Sequence, residues 1–260
     1  MQQSKHQVYA INYACDQRRR DQNFLGGDCD RSPMPIAYYI WAIFTQHSVI
    51  VVDTGFTRNQ AIRRGREFLS CPSEILPSLG VMAEDVNDVV LTHLHYDHVG
   101  NHKLFPNARM HLQTSELAYA TGRYMRFAAC AEAYDVENIA EIVREQYKGR
   151  LVMHNGSARI VPGVELHLIG GHTPGLQVVV VSTRRGQLVI ASDAAHFYEN
   201  LEASRPFPIV FNVGEMLDGF ETVKKFAGSD ACVIPGHDPI VMERFPAVPV
   251  TGLGRAVRLD

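Results

Sequence analysis

Three histidines and an aspartate crowd the six positions from His93 to His98, in the stretch THLHYDHVG, directly after the apolar run Val89-Val90-Leu91. In an extended segment alternate side chains share a face, so His93 and His95 project the same way and can reach one metal ion. Asp97 and His98 follow where Gly100 allows the chain to turn, and can point to a second position close by. The helical zinc motif needs two histidines four apart, which is a different spacing. The plainer alternative is a set of surface histidines. A metal site requires further donors elsewhere, and candidates exist: His172 in GGHTPG, Asp193 in IASDAAH and His237 in IPGHDP. Each follows a strand-like run, and the carboxyl end of a strand is where open sheets commonly place their sites.

The elements that would position these donors are mostly short apolar runs bounded by Gly, Pro and Asp. They are residues 38–44, 48–55, 86–93, 164–171, 176–183, 187–193 and 231–236, whose length and β-branched content suit strands. Helical patterns lie between them. Residues 59–70 offer Ile62, Phe68 and Leu69 as inward positions, and residues 215–226 place Met216, Phe220 and Val223 at spacings of three and four. From Thr114 to Tyr147 strand signals vanish and the chain becomes helix-compatible. Tyr119, Tyr124, Met125, Phe127 and Tyr134 in this stretch read either as core or as an apolar wall for a substrate. Strands and helices mixed in this way predict two sheets, or one large sheet, covered by helices.

Length and charge narrow the function. A chain of 260 residues, 46% apolar, can bury a sizeable core, and no linker divides it, so a single domain is expected. A formal charge of −3 argues against a surface built for nucleic acid or anionic membrane. Two local basic clusters, Arg18-Arg19-Arg20 and Arg63-Arg64 with Arg66, read as a solvated loop and a solvated helix face. Five scattered cysteines without paired spacing suit a reducing compartment. The N-terminus lacks an apolar signal stretch, and no run of about eighteen apolar residues occurs. The expectation is a cytoplasmic protein.

With THLHYDHVGN, GGHTPG, the strand-terminal Asp193, PGHD and the early VVDTG at 51–55, the sequence resembles the metallo-β-lactamase superfamily over nearly its whole length. The resemblance implies an α+β fold, the αββα sandwich of two mixed β-sheets flanked by helices. It would span 1–260 as one domain with a helical insertion at about 114–147. It also implies a dinuclear centre in which His93, His95 and His172 hold one metal and Asp97, His98 and His237 the other. Asp193 and a hydroxide would bridge the pair, and Asp53 would orient the ligands. Five histidines and two carboxylates without cysteine favour two Zn²⁺ ions, with iron and manganese left open. Two such ions about 3.5 to 4 Å apart bring the pKa of a shared water toward 7, so hydrolysis is expected.

Within the superfamily the strongest likeness is to the N-acyl homoserine lactonases, the quorum-quenching branch, through MPIAYYIW, SDAAHFYENLE and GHDPIVMERFP. It implies a lactone or related small ester as substrate, opened by hydroxide attack on the carbonyl, with Asp97 relaying a proton. The branch normally holds the carbonyl with a Tyr three residues after the bridging Asp. Here that position is His196, and Tyr198 stands two residues further on, so both are candidate catalytic residues. The alternative is another ester or thioester hydrolase of the glyoxalase II type, although the Gly-Cys-Gly-Arg segment usual there is replaced by DAAHFYEN. The turn-rich, charged segment 13–33 is placed over the cleft or at a partner subunit, which leaves a homodimer open.

Overall fold

A computed structural model describes residues 5–229 and 232–260. Met1 to Ser4 of the N-terminal reading, and Ala231 of the strand expected over 231–236, lie outside the described residues. Along the chain run β1 (Gln7–Asp16), β2 (Ile36–Phe44), β3 (Val49–Val52), β4 (Glu67–Phe68), β5 (Asp88–Val90), β6 (Arg109–Gln113) and β7 (Leu151–His154). They are followed by β8 (Ala158–Val161), β9 (Val164–Leu168), β10 (Gln177–Thr183), β11 (Gly186–Ser192), β12 (Val233–Pro235), β13 (Ala247–Val248) and β14 (Arg255–Arg258). One sheet has the order β13-β14-β1-β2-β3-β5-β6-β7, with β4 paired to β1. The other has the order β12-β11-β10-β9-β8. Both are mixed: β3, β5, β6 and β7 run parallel, as do β11 and β12, and the remaining pairs are antiparallel.

Strict alternation along the long strands makes the layers. In β2, Ala37, Tyr39, Trp41 and Ile43 face the second sheet and meet Val179, Val181, Leu188 and Ile190. Their neighbours Tyr38, Ile40 and Ala42 face outward onto a helical layer that supplies Ala61, Ile75, Ile139 and Ile142. In β10, Val178 and Val180 turn away from the first sheet and are covered by Met216, Phe220 and Val223 of the helix Val213–Ala227. With a period of two, each strand serves two cores at once, and four layers result. The αββα arrangement expected from the resemblance is therefore the observed one.

Residues 114–147 are helical, with helices at Thr114–Ala120, Ala128–Ala131 and Val136–Tyr147 between β6 and β7. Three readings change. The helix expected over 59–70 ends at Arg64, Ile62 on it is 73% exposed, and Phe68 instead pairs with Ala14 in β4. There the Phe68 ring packs near Tyr13 and Phe56, which places it in the core through a strand. Asp97 and His98 lie in a helical turn, Tyr96–Val99, rather than a free bend. Gly100 keeps an ordinary φ of −62°, and its role is close approach: a Cβ would stand 2.9 Å from the Phe56 Cα.

Candidate metal centre

Both sheets deliver their carboxyl ends to one edge. Parallel β3 and β5 carry Asp53 and the His93-to-His98 loop there, and parallel β11 and β12 carry Asp193 and His237. The loop after β9 brings His172. Hydrogen bonds lock the two sheets at this edge: the Gln177 amide donates to the Leu91 carbonyl at 2.8 Å, and the Ala37 N–H to the His237 carbonyl at 2.9 Å. Asp53 at φ 58° and Ser192 at φ 47° hold left-handed backbone in non-glycine residues, a strain that persists where surrounding contacts over-determine it.

The donors converge. His93, His95, His172 and Asp193 place ligand atoms within 4.8 Å of one another, and Asp97, His98 and His237 do the same alongside. The Asp193 carboxylate divides between the groups. Its Oδ2 lies 3.1 Å from His172 Nε2, and its Oδ1 lies 3.2 Å from His98 Nε2 and 3.0 Å from His237 Nε2. Asp97 Oδ2 is 3.6 Å from His98 Nε2 and 3.8 Å from His237 Nε2.

The outer nitrogens fix the ring orientations. His172 Nδ1 donates to the Ile209 carbonyl at 2.7 Å, His237 Nδ1 to the Ala37 carbonyl at 2.9 Å, and His98 Nδ1 to Asp53 Oδ2 at 2.7 Å. Each such bond leaves Nε2 as a bare lone pair aimed inward. His93 Nε2 is buried without a hydrogen-bond partner, and His98 Nε2 has only the Asp193 and Asp97 carboxylates beside it. Buried polar atoms without partners are costly, and a cation held by each group would satisfy them. The donor set thus fits two divalent metals.

The electrostatics divide the histidines: against the effect of burial, Asp193 and the neighbouring carboxylates raise His98 and His237 above the usual imidazole value. Burial, then the neighbouring histidines, pushes His93 and His95 well below the usual imidazole range. At Asp193 burial works against the charge, yet His196, His237, His98 and His172 hold the carboxyl well below its ordinary value. Asp53 shows the opposite balance: burial raises it, although it accepts from His98 and from both the N–H and hydroxyl of Thr92.

A cavity of about 310 Å³ opens onto the centre, with Tyr38, Asp97, Asp193, His196, Phe207 and Ile209 among its lining. His196 is buried, stacks on Phe207 at 3.7 Å between centroids, and holds Nε2 3.1 Å from Asp193 Oδ2. Burial presses its pKa down to about 3 against the pull of Asp193. Tyr198 does not join the cavity. Its ring belongs to the core between the sheets, under the Arg244 guanidinium at 3.9 Å, at the start of the helix Tyr198–Ala203. The aromatic positions of the 114–147 stretch do not line the cavity either. Tyr134 packs edge-on against His95 at 4.6 Å, while Tyr124 and Phe127 are exposed.

Glu116 went unnoticed in the sequence. It is fully buried and accepts from the Leu94 N–H at 3.0 Å, the Gly175 N–H at 3.1 Å and the Tyr134 hydroxyl at 3.0 Å. Burial raises its pKa, and those donors oppose the rise. It pins the backbone between His93 and His95 to the loop that follows His172. Gly175 is required there, since a Cβ would come 2.3 Å from the Glu116 backbone nitrogen. A lone Glu at a helix start carries no sequence signal for this role.

The family model of the metallo-beta-lactamase superfamily matches residues 35–237. The chain belongs to the metallo-beta-lactamase superfamily. Among characterised superfamily members it is 27% identical over 221 residues to an N-acyl homoserine lactonase of Bacillus thuringiensis, covering 79% of this chain and 82% of that one. It is 28% identical over 189 residues to one of Bacillus cereus, covering 67% and 69%. A solved N-acyl homoserine lactone hydrolase, with the product N-hexanoyl-L-homoserine at its catalytic metal centre, superposes with a TM-score of 0.75 at 21% identity. That match covers 93% of this chain and 96% of the other. The superfamily fold and the layer order above coincide. Among the described residues no helix is long and apolar enough to cross a membrane.

Proposed function

We propose that this protein is a dinuclear metal-dependent hydrolase that opens the ring of N-acyl homoserine lactones or a related small lactone. The observation that carries the reading is the division of the Asp193 carboxylate between two groups of buried donors at the floor of a substrate-sized cavity. The lactonase relatives set the reaction class. His93, His95 and His172 would hold one cation, Asp97, His98 and His237 the second, and Asp193 would touch both. Cations held there would supply Lewis acidity, which lowers the pKa of a water toward about 7 and polarises a carbonyl. Zinc is the proposed metal, because imidazole and carboxylate donors without thiolate suit it. Elemental analysis of protein purified without added metal tests this, and two equivalents of iron would overturn it.

The chain's own groups supply the rest. His196 Nε2 faces the same volume as Asp193 Oδ2, where a lactone carbonyl oxygen would sit, and a donor there stabilises the charge that develops on that oxygen. Asp97 borders the cavity and can carry a proton to the departing ring oxygen. Phe207 and Ile209 wall the site with apolar surface. The deciding assay compares a panel of lactones with an acylated glutathione thioester. Lactone turnover is expected, and hydrolysis of the thioester alone would overturn the reading.

A further inference from the structure

The mouth of the metal-facing cavity is lined by three guanidiniums, Arg18, Arg64 and Arg66. Two are occupied. Arg66 stands 2.8 Å from Asp16 and donates to the Tyr96 hydroxyl. Arg64 lies 3.8 Å over the Tyr96 ring and donates to the carbonyls of Glu132 and Tyr134, fastening that segment over the cleft. Arg18 is different. It is half-buried, donates to the Gln22 carbonyl at 2.7 Å and lies 5.1 Å over the Phe207 ring. Among the described residues no carboxylate forms an ion pair with it, and burial, the largest influence on its charge, lowers its pKa, with Tyr38 and Asp16 acting the other way. A guanidinium drawn out of water without a counterion is unfavourable. Glu132 also borders the cavity but is exposed. Asp97 and Asp193 also line the cavity but belong to the donor groups, so among the described residues Arg18 remains a guanidinium that no carboxylate pairs.

The position of the Arg18 guanidinium is informative. Asp193, His196, Phe207 and Arg18 follow one another along one wall: Asp193 touches His196, His196 stacks on Phe207 with an interplanar angle of 6°, and Arg18 covers Phe207. Arg18 is thus linked to Asp193 through His196 and the aromatic face of Phe207. A single fork of donors matches a planar monoanion.

We infer that the physiological substrate carries a carboxylate in addition to its scissile lactone, and that Arg18 binds this carboxylate. The inference rests on the lactonase reading for the bond that is cleaved, while the anion site stands on Arg18 and its wall. It separates the substrate from a neutral acylated lactone. Arg18 belongs to the basic run 18–20, which by sequence alone reads as a solvated loop.

The test uses the metal-loaded enzyme and two γ-lactones that differ only in a ring substituent, carboxylate or carboxamide. Wild type is expected to prefer the carboxylate in kcat/KM by roughly ten- to a hundredfold, the range of a charge-assisted hydrogen bond. The preference should shrink as salt is raised. In Arg18→Met the ratio should fall to about one, and Arg18→Lys should restore part of it. Equal turnover of both lactones by wild type, or an undiminished preference in Arg18→Met, overturns the inference. If neither lactone is opened, the lactonase reading fails, and calorimetric binding of the two compounds decides the anion site by itself. Tighter carboxylate binding in wild type that is lost in Arg18→Met supports it, and equal affinities overturn it. Should Arg18→Met fail to fold, Arg18→Gln is measured in the same way.

Discussion

His196 illustrates what a single residue contributes. The ring is held flat against Phe207 with Nε2 3.1 Å from Asp193 Oδ2 beside the cavity, so replacing it with Phe keeps the stack and removes that nitrogen. His196→Phe is expected to lower kcat by roughly a hundredfold, about 3 kcal/mol of lost transition-state stabilisation, with two metals still bound. Steady-state kinetics alongside elemental analysis checks this, and unchanged kcat would remove His196 from the reaction. The local spacing of the ligand motif made the seven donors legible in the sequence, since His93 and His95 alternate and each remaining donor follows a strand. Tyr198 lies in the core between the sheets, and sequence offset alone cannot say that the chain turns into a helix between positions 196 and 198.

At the scale of elements, Glu116 joins three segments that the sequence keeps far apart: the ligand loop at 94, the loop at 175 and the helical stretch at 134. Glu116→Ala leaves two backbone N–H groups buried without acceptors, at a cost of roughly 2 to 5 kcal/mol. Urea unfolding should show that loss, and a chelator competition should show weaker metal retention because His93, His95 and His172 lose their shared anchor. A second cross-link ties the N-terminal segment to the residues that follow the Asp193 loop. Arg20 pairs with Glu199 and Asp28, and Arg205 pairs with Asp28 at 2.9 Å. The Asp30 backbone N–H, then Arg205, holds the Asp28 carboxyl at about 2, below its ordinary 3.8. A depressed carboxyl stabilises the fold above its unfolded value and loses that contribution as pH falls through the folded one. Between pH 4 and pH 2 the melting temperature should therefore drop, and the drop should be smaller in Asp28→Asn. An identical acid response in both proteins would refute the link. The segment 13–33 announced itself only as turn-rich and charged, because its partners, Glu199 and Arg205, lie far along the chain.

For the molecule as a whole, the proposed metal centre would join the two sheets: His93, His95, Asp97 and His98 follow strands of the first, while His172, Asp193 and His237 follow strands of the second. Ligands that bind only the folded state raise its stability by RT ln(1 + [L]/Kd), so stripping metal with a chelator should lower the melting temperature, and added zinc should restore it. An unchanged melting temperature in metal-free protein would contradict this coupling. The alternating pattern of β2 and β10, with apolar side chains on both faces, already required that each strand be covered twice, and hence that layers stack. What the sequence determined by itself is the chemistry of the donors and the periodicity of the strands, because both are written in neighbouring residues. Only the tertiary structure decided that Arg18, Arg64 and Arg66 face the cleft, that Glu116 braces the ligand loops and that Tyr198 is core. Each of these depends on contacts between segments distant in sequence, and a charged or polar side chain looks the same in the sequence whether water or a folded partner surrounds it.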